Sequence, residues 1–222
     1  MSRELAVALA TVCAVIAPGV SVSMVEVTRA TTGDRERLAD TLASAFAQDP
    51  VFGWILAGRS RIERRLRRYF RALLREELRP SDHEVFLAAD GSGGAIWKGI
   101  DQWKTPTRAI IREAPILATV FELTTVRALR VLGAMERVHP EAPHYYLHTL
   151  GTRQDAQGTG VGSAVVAQML ERCDQEGVPA YLESSNPRNV AFYARHGFET
   201  QGLVASPHGA PPITRMWREP HP

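Results

Sequence analysis

The chain has 222 residues, 45% of them hydrophobic and 23% charged, with a formal net charge of +2 at pH 7. These proportions belong to an ordinary globular protein of one domain, or of one domain with an appendage, and they exclude disorder, collagen and coiled coil as the state of the whole chain. Charge so near balance gives no support to a dedicated nucleic-acid binder, and two cysteines, Cys13 and Cys173, cannot build a disulfide framework.

Leu5 to Ala17 is apolar, with one arginine before it and Pro18-Gly19 after it. At about 13 residues it falls short of the roughly 20 that span a bilayer. It resembles a signal-peptide apolar region, or else a tail upstream of a start at Met24. We treat 1–23 as an N-terminal extension and 24–222 as a single domain. Val25 and Val27 alternate with polar residues and predict a first strand. A helix follows from Gly33-Asp34, with Leu38, Leu42, Ala45 and Phe46 on one face, and Asp49-Pro50 breaks it. A second helix is expected from about Ser60 to Leu78, ended by Arg79-Pro80. Its arginines Arg64, Arg65, Arg67, Arg68, Arg71 and Arg75 lie mostly off the apolar stripe and read as a solvated face, with Glu63, Glu76 and Glu77 available for helical pairs. Val85, Leu87 and Ala89 make a second strand. The run 90–94 is a hairpin loop, and Ala95 to Ile100 is the antiparallel return.

Residues 101–142 form a helical insert, longer than an ordinary link between strands. Two helical patterns, around Arg108 to Arg112 and Ile116 to Val138, are separated by Pro115. Ile116, Val120, Leu123, Val126, Leu129 and Leu132 recur at helical spacing, with Trp103, Phe121 and Met135 as added apolar bulk. The segment packs on the sheet or walls an acceptor pocket. A strand from Tyr145 to Leu150 comes next, then a glycine-rich loop and a helix from about Gly160 to Glu176 that holds Cys173. Ala180 to Glu183 is a strand parallel to the previous one, a short helix spans about Asn189 to Arg195, and Phe198 to Val204 pairs with Ile213 to Trp217. The order describes an α/β or α+β domain with a mixed sheet.

Gln157-Gly158-Thr159-Gly160-Val161-Gly162-Ser163 follows a strand and opens a helix. Glycines there admit close backbone approach, and the first helical N–H groups suit a phosphate. The alternative is a tight turn with glycines for packing. A P-loop would need a lysine before Ser163, and none is present. A dinucleotide fingerprint is admitted by the spacing to Glu183, yet the unit sits late in the chain, after an antiparallel hairpin.

Together with Asn189, Tyr193 and Gly197-Phe198, the run 157–162 resembles the GNAT superfamily of acyl-CoA-dependent N-acyltransferases. That family's Gln/Arg-x-x-Gly-x-Gly/Ala motif matches position by position, and so does its Asn, then Tyr four residues on, then Gly-Phe. Leu182-Glu183-Ser184-Ser185-Asn186, the later Tyr-x-x-His-Gly-Phe and the C-terminal Met216-Trp217-Arg218 resemble the puromycin-acetyltransferase-like branch. The resemblance implies a mixed, mostly antiparallel sheet with a splayed parallel pair of central strands, flanked by helices. It implies acetyl-CoA as co-substrate, with its pyrophosphate on Gln157, Gly158, Thr159, Gly160, Val161, Gly162 and Ser163. Leu150, Gly151 and Thr152 would line the pantetheine arm, and Asn189 would hydrogen-bond it. Tyr193 would protonate the leaving thiolate. The base that takes the acceptor's proton is left among His144, His148 and Glu183, or an ordered water. His144 and His148, four apart on one strand, are expected on the same face. The expected activity is cytoplasmic N-acetylation of a small amine by a monomer or homodimer, with no metal, nucleic acid or membrane. The alternatives are a non-catalytic acyl-CoA sensor and, more remotely, a nucleotide-binding oxidoreductase.

Overall fold

In the computed structural model, strands β1 (Val27–Arg29), β2 (Glu84–Ala88), β3 (Gly93–Lys98), β4 (Tyr145–Thr152), β5 (Ala180–Ser184), β6 (Glu199–Leu203) and β7 (Thr214–Arg218) form one sheet in the order β1-β2-β3-β4-β5-β7-β6. The structure describes residues 25–79, 83–104, 107–207 and 209–221. The expected N-terminal extension, Met24 and Pro80 lie outside the described residues. Every neighbouring pair is antiparallel except β4 and β5. A parallel pair needs a crossover, and α6 (Val161–Glu176) supplies it.

Apolar alternation on the strands sorts the helices to the two faces. Ile96 of β3 joins a core with Leu38 and Leu42 of α1 (Arg35–Phe46), Leu66, Phe70 and Leu74 of α3 (Ile62–Glu77), and Val120 of α4 (Thr107–Phe121). Its neighbours Ala95 and Trp97 join the opposite core, with Val165, Val166, Met169 and Cys173 of α6 and Phe198. Tyr193 of α7 (Val190–Ala194) packs in that second core.

Two expectations are corrected. Asp49-Pro50 ends α1 but also begins α2 (Pro50–Ile55). The Asp49 carboxylate accepts the Phe52 N–H at 2.9 Å, and Pro50 fills the first helical position, where its missing N–H costs nothing. Pro115 does not separate two helices; it lies inside α4. Burial of Ala109, Glu113 and Val120 along α4 holds it together despite the lost hydrogen bond. The break falls at Glu122, at φ +49°, before α5 (Thr125–Glu136).

The arginines of α3 tie helices together. Arg67 pairs with Asp40, Arg71 with Glu36, Arg65 with Glu122 and Arg75 with Glu113. Glu77 makes no helical pair; it is buried and bonded to the ammonium of Lys98, itself buried on β3. The insert also divides. Val120 and Phe121 are buried, whereas Leu123, Val126, Leu129 and Leu132 are exposed.

Candidate functional site

β4 and β5 pair at Tyr145–Ala180, Tyr146–Tyr181 and Leu147–Leu182, and no further. β5 continues through Glu183 and Ser184 paired only with β7. β4 continues to Thr152 paired only with β3. At the same point the β3–β4 register shifts: Ile96 faces Thr149 and Trp97 faces Leu147, so His148 is the extra residue of a bulge. A bulge bends its strand and sharpens the twist. The two strands therefore fork. Residues 150–152 bond β3 on one edge and leave the other edge free for an extended, hydrogen-bonding chain. Gly151 serves packing too, since a Cβ there would come within 2.9 Å of Leu42 and Ala45 on α1.

The loop after β4 returns beside this edge. Arg153 donates its N–H to Ser92 O at 2.8 Å, and the Gln157 side chain donates to Thr152 O at 3.3 Å. Gly158 and Gly160 have φ +79° and +92°, a region that favours glycine, and a Cβ at either would meet nothing within 4 Å. No side chain caps the N-terminus of α6. Its first amides, from Val161 to Ser163, are thus available to an anion at the positive end of the helix. Thr159 is occupied locally, its hydroxyl donating to Ala156 O. Asn189 stands exposed at the start of α7. The fold thus gathers residues 150–152 and 157–163 at one end of the sheet.

Tyr193 is buried against Phe192 and Phe198, with ring centroids at 5.2 and 6.0 Å. Burial raises its phenol, and the Asp49 carboxylate raises it further, so it keeps its proton. Asp49 is itself buried, and its carboxyl is pushed up by desolvation; the Ser185 hydroxyl donates to it. Sequence reasoning missed Asp49 as a site residue. Its signal, a helix-capping Asp-Pro pair, was read only as a stop.

Glu183 is the first β5 residue past the last β4 pair, and its side chain has no exposed surface. The Tyr181 hydroxyl donates to Oε1 at 3.0 Å, whereas Oε2 is buried without a partner. Nδ1 of His139 lies 3.7 Å from Oε1. Trp103 stacks on His139 at 3.9 Å, and Tyr146 and Tyr181 meet its ring edge-on. Sequence reasoning missed His139 as well, taking His139-Pro140 only as the end of a helical segment.

His144 and His148 do not share one environment. His144 Nε2 lies 3.1 Å from His139 Nε2, and its ring packs by Tyr181 and Trp217. Burial lowers its pKa. His148 packs by Tyr146 instead and lies near Lys98 and His83. Burial, with those two neighbours, pushes it down to about 3. A group so weakly basic is a poor acceptor for an ammonium proton near neutrality.

Among the described residues no helix is long and apolar enough to cross a membrane. Residues 118–198, from α4 through α7 to the residue before β6, match the Acetyltransferase (GNAT) family. A crystal structure from Corynebacterium glutamicum, described as histone acetyltransferase HPA2 and related acetyltransferase, is 28% identical. It superposes with a TM-score of 0.65 over 88% of this chain and 96% of that one. PaiA N-acetyltransferase from Thermoplasma acidophilum, solved with coenzyme A, shares the fold at 15% identity and a TM-score of 0.53, over 87% of this chain and 98% of that one. An uncharacterised N-acetyltransferase of Schizosaccharomyces pombe is 35% identical over 78 residues, 34% of this chain and 32% of its own length, so the chain spans about a third of that relative. The forked parallel pair and the glycine loop opening α6 lie within residues 118–198, the segment that matches the Acetyltransferase (GNAT) family.

Proposed function

We propose that the protein transfers an acetyl group from acetyl-CoA to the primary amine of a small molecule, by direct attack of the amine on the thioester. The single observation that carries this reading is the fork: an open β4 edge beside an uncapped helix N-terminus, with a buried carboxylate and a buried phenol on the neighbouring elements. The residues fit the co-substrate. Residues 157–163 offer amides and open space for a pyrophosphate, and residues 150–152 offer an unpaired backbone edge for the pantetheine arm. Acetyl-CoA supplies the activated acyl group. Tyr193 holds a proton at Oη for the departing thiolate, Glu183 is the proton acceptor, and His144 stands behind it through His139. Asn189, exposed at the start of α7, would hydrogen-bond the pantetheine arm. The run 182–186 and the Tyr193-to-Phe198 spacing support an acceptor of the kind used by the puromycin-acetyltransferase-like branch.

The test is thiol release from acetyl-CoA over a panel of amines that includes aminonucleosides, polyamines and peptide N-termini. Amine-dependent release with a matching acetylated product is the expected result. Tight CoA binding without release on any amine would make the protein an acyl-CoA sensor instead.

A further inference from the structure

The protonation of the cluster at Glu183 can be read from its partners. His144 Nδ1 lies 2.6 Å from the Ala142 carbonyl, which only accepts, so Nδ1 carries the hydrogen. Burial and the neighbouring His139 favour a neutral His144, which leaves a lone pair at Nε2. His139 Nε2, 3.1 Å away, must then be the donor. This leaves His139 Nδ1 facing Glu183 Oε1 at 3.7 Å in a place closed to water. A bare Nδ1 would set one lone pair against another at a buried carboxylate oxygen. A hydrogen on Nδ1 removes the conflict, and His139 then presents an N–H on each side, to His144 Nε2 and toward Glu183 Oε1.

Other charged and titratable groups surround this pair. Arg215 stands opposite Glu183 in the sheet register, but its guanidinium donates to Val138 O at 3.4 Å and Gln201 O at 3.1 Å. Tyr181 and Tyr146 are neutral phenols, raised by burial and by Glu183 itself. Asp101 acts on His144, and Lys104 lies over the outer ring, Trp103.

We propose that His139 is a positioning residue of this site, an imidazolium that pairs through Nδ1 with Glu183 and keeps that buried carboxylate ionised. The purpose rests on the acetyl-transfer reading; the pair itself rests on the contacts of the two rings and on the burial that keeps His144 neutral. With Glu183 ionised, an N–H bond of the acceptor ammonium breaks, an O–H bond forms on the carboxylate, and the nitrogen keeps the electron pair with which it attacks the thioester. An imidazolium beside the carboxylate offsets the cost of holding that charge away from water.

The test is ¹⁵N-histidine NMR on the full chain. In the wild type at pH 7, His139 should carry hydrogens on both ring nitrogens, and His144 should be the Nδ1–H tautomer. Glu183→Gln should lower the proton affinity of His139 at least tenfold, about one pH unit. A His139 that is neutral at pH 7 in the wild type overturns the proposal, and no variant has to fold for that result. In turnover, His139→Asn keeps a donor near Nδ1 but not the charge. It should move the acidic limb of kcat/KM up by about one pH unit or more, with the acetyl-CoA KM unchanged. A uniform fall in kcat with an unmoved limb would also overturn it. If the wild type acetylates no amine, the acetyl-transfer reading fails by itself, and the NMR result still decides the pair.

Discussion

Tyr193 and His148 show how burial assigns proton roles to single side chains. Tyr193 keeps its proton because desolvation and Asp49 both disfavour the phenolate. Tyr193→Phe retains the ring packing and deletes only the hydroxyl. We expect kcat to fall by roughly 10²-fold with acetyl-CoA affinity unchanged, as read by steady-state kinetics and calorimetry; wild-type turnover would return the residue to the core. His148 is held at about 3, against an ordinary 6.5. As the pH falls below 6.5 the unfolded chain takes up the proton first. Stability is therefore full above about 6.5 and is lost progressively down to about 3, where the native state is protonated too. His148→Gln cannot titrate, so its melting temperature should decline less between pH 6.5 and 4 than that of the wild type. Identical slopes would mean that His148 is not buried as a neutral ring.

The elements that carry the site put their constraints in the backbone and in one buried pair. Gly160 sits at φ +92° with open space around its Cβ, so Gly160→Val strains the loop without striking a neighbour in the protein. We expect acetyl-CoA affinity to drop more than tenfold, about 1.4 kcal/mol, by calorimetry. Gly133→Ala on α5, at ordinary φ and with only Arg137 near its Cβ, is the matched control and should leave affinity alone. On the other side of the sheet, Lys98→Met would remove the ammonium bonded to the buried Glu77 carboxylate. A cost of about 3–5 kcal/mol in denaturant unfolding is expected, with most of it recovered in Lys98→Met/Glu77→Leu. These elements were unequally legible in sequence. The strand, glycine loop and helix of 145–176 were readable because strand alternation, turn glycines and helical spacing are local signals. α2 was missed because a capping Asp-Pro looks the same whether a helix stops or starts there. Pro115 misled because its local cost is outweighed by burial that only the folded chain supplies.

At the scale of the whole molecule, residues distant in sequence meet at the candidate site, and this is why part of it was unreadable. Glu183, Tyr193 and residues 157–163 lie on consecutive elements and could be named from motifs. Asp49 and His139 reach the same region from α2 and from the end of the insert, and nothing near them in the chain announces that. The His148 bulge was also hidden, because a register shift is a property of two strands jointly. The insert itself splits in role. Phe121 is buried with its ring 5.8 Å from Tyr69, whereas Trp103 stacks on His139. Phe121→Ala should cost about 3–5 kcal/mol of stability and leave the acceptor KM unchanged, while Trp103→Ala should raise that KM at little cost in stability. Equal effects of the two on KM would contradict the division.

The fork has a mechanical consequence. Strands β1 to β4 and strands β5 to β7 are joined within the sheet by only three residue pairs, all at one end of the β4–β5 seam. The seam behaves as a zipper left half open, and its closed end is a hinge between two antiparallel leaves. Anything that lies in the open half and bonds the free β4 edge while touching β5 or α7 acts as a missing strand. It adds cohesion where the sheet has least, so the stiffness of this molecule under load is set as much by its occupant as by its own chain.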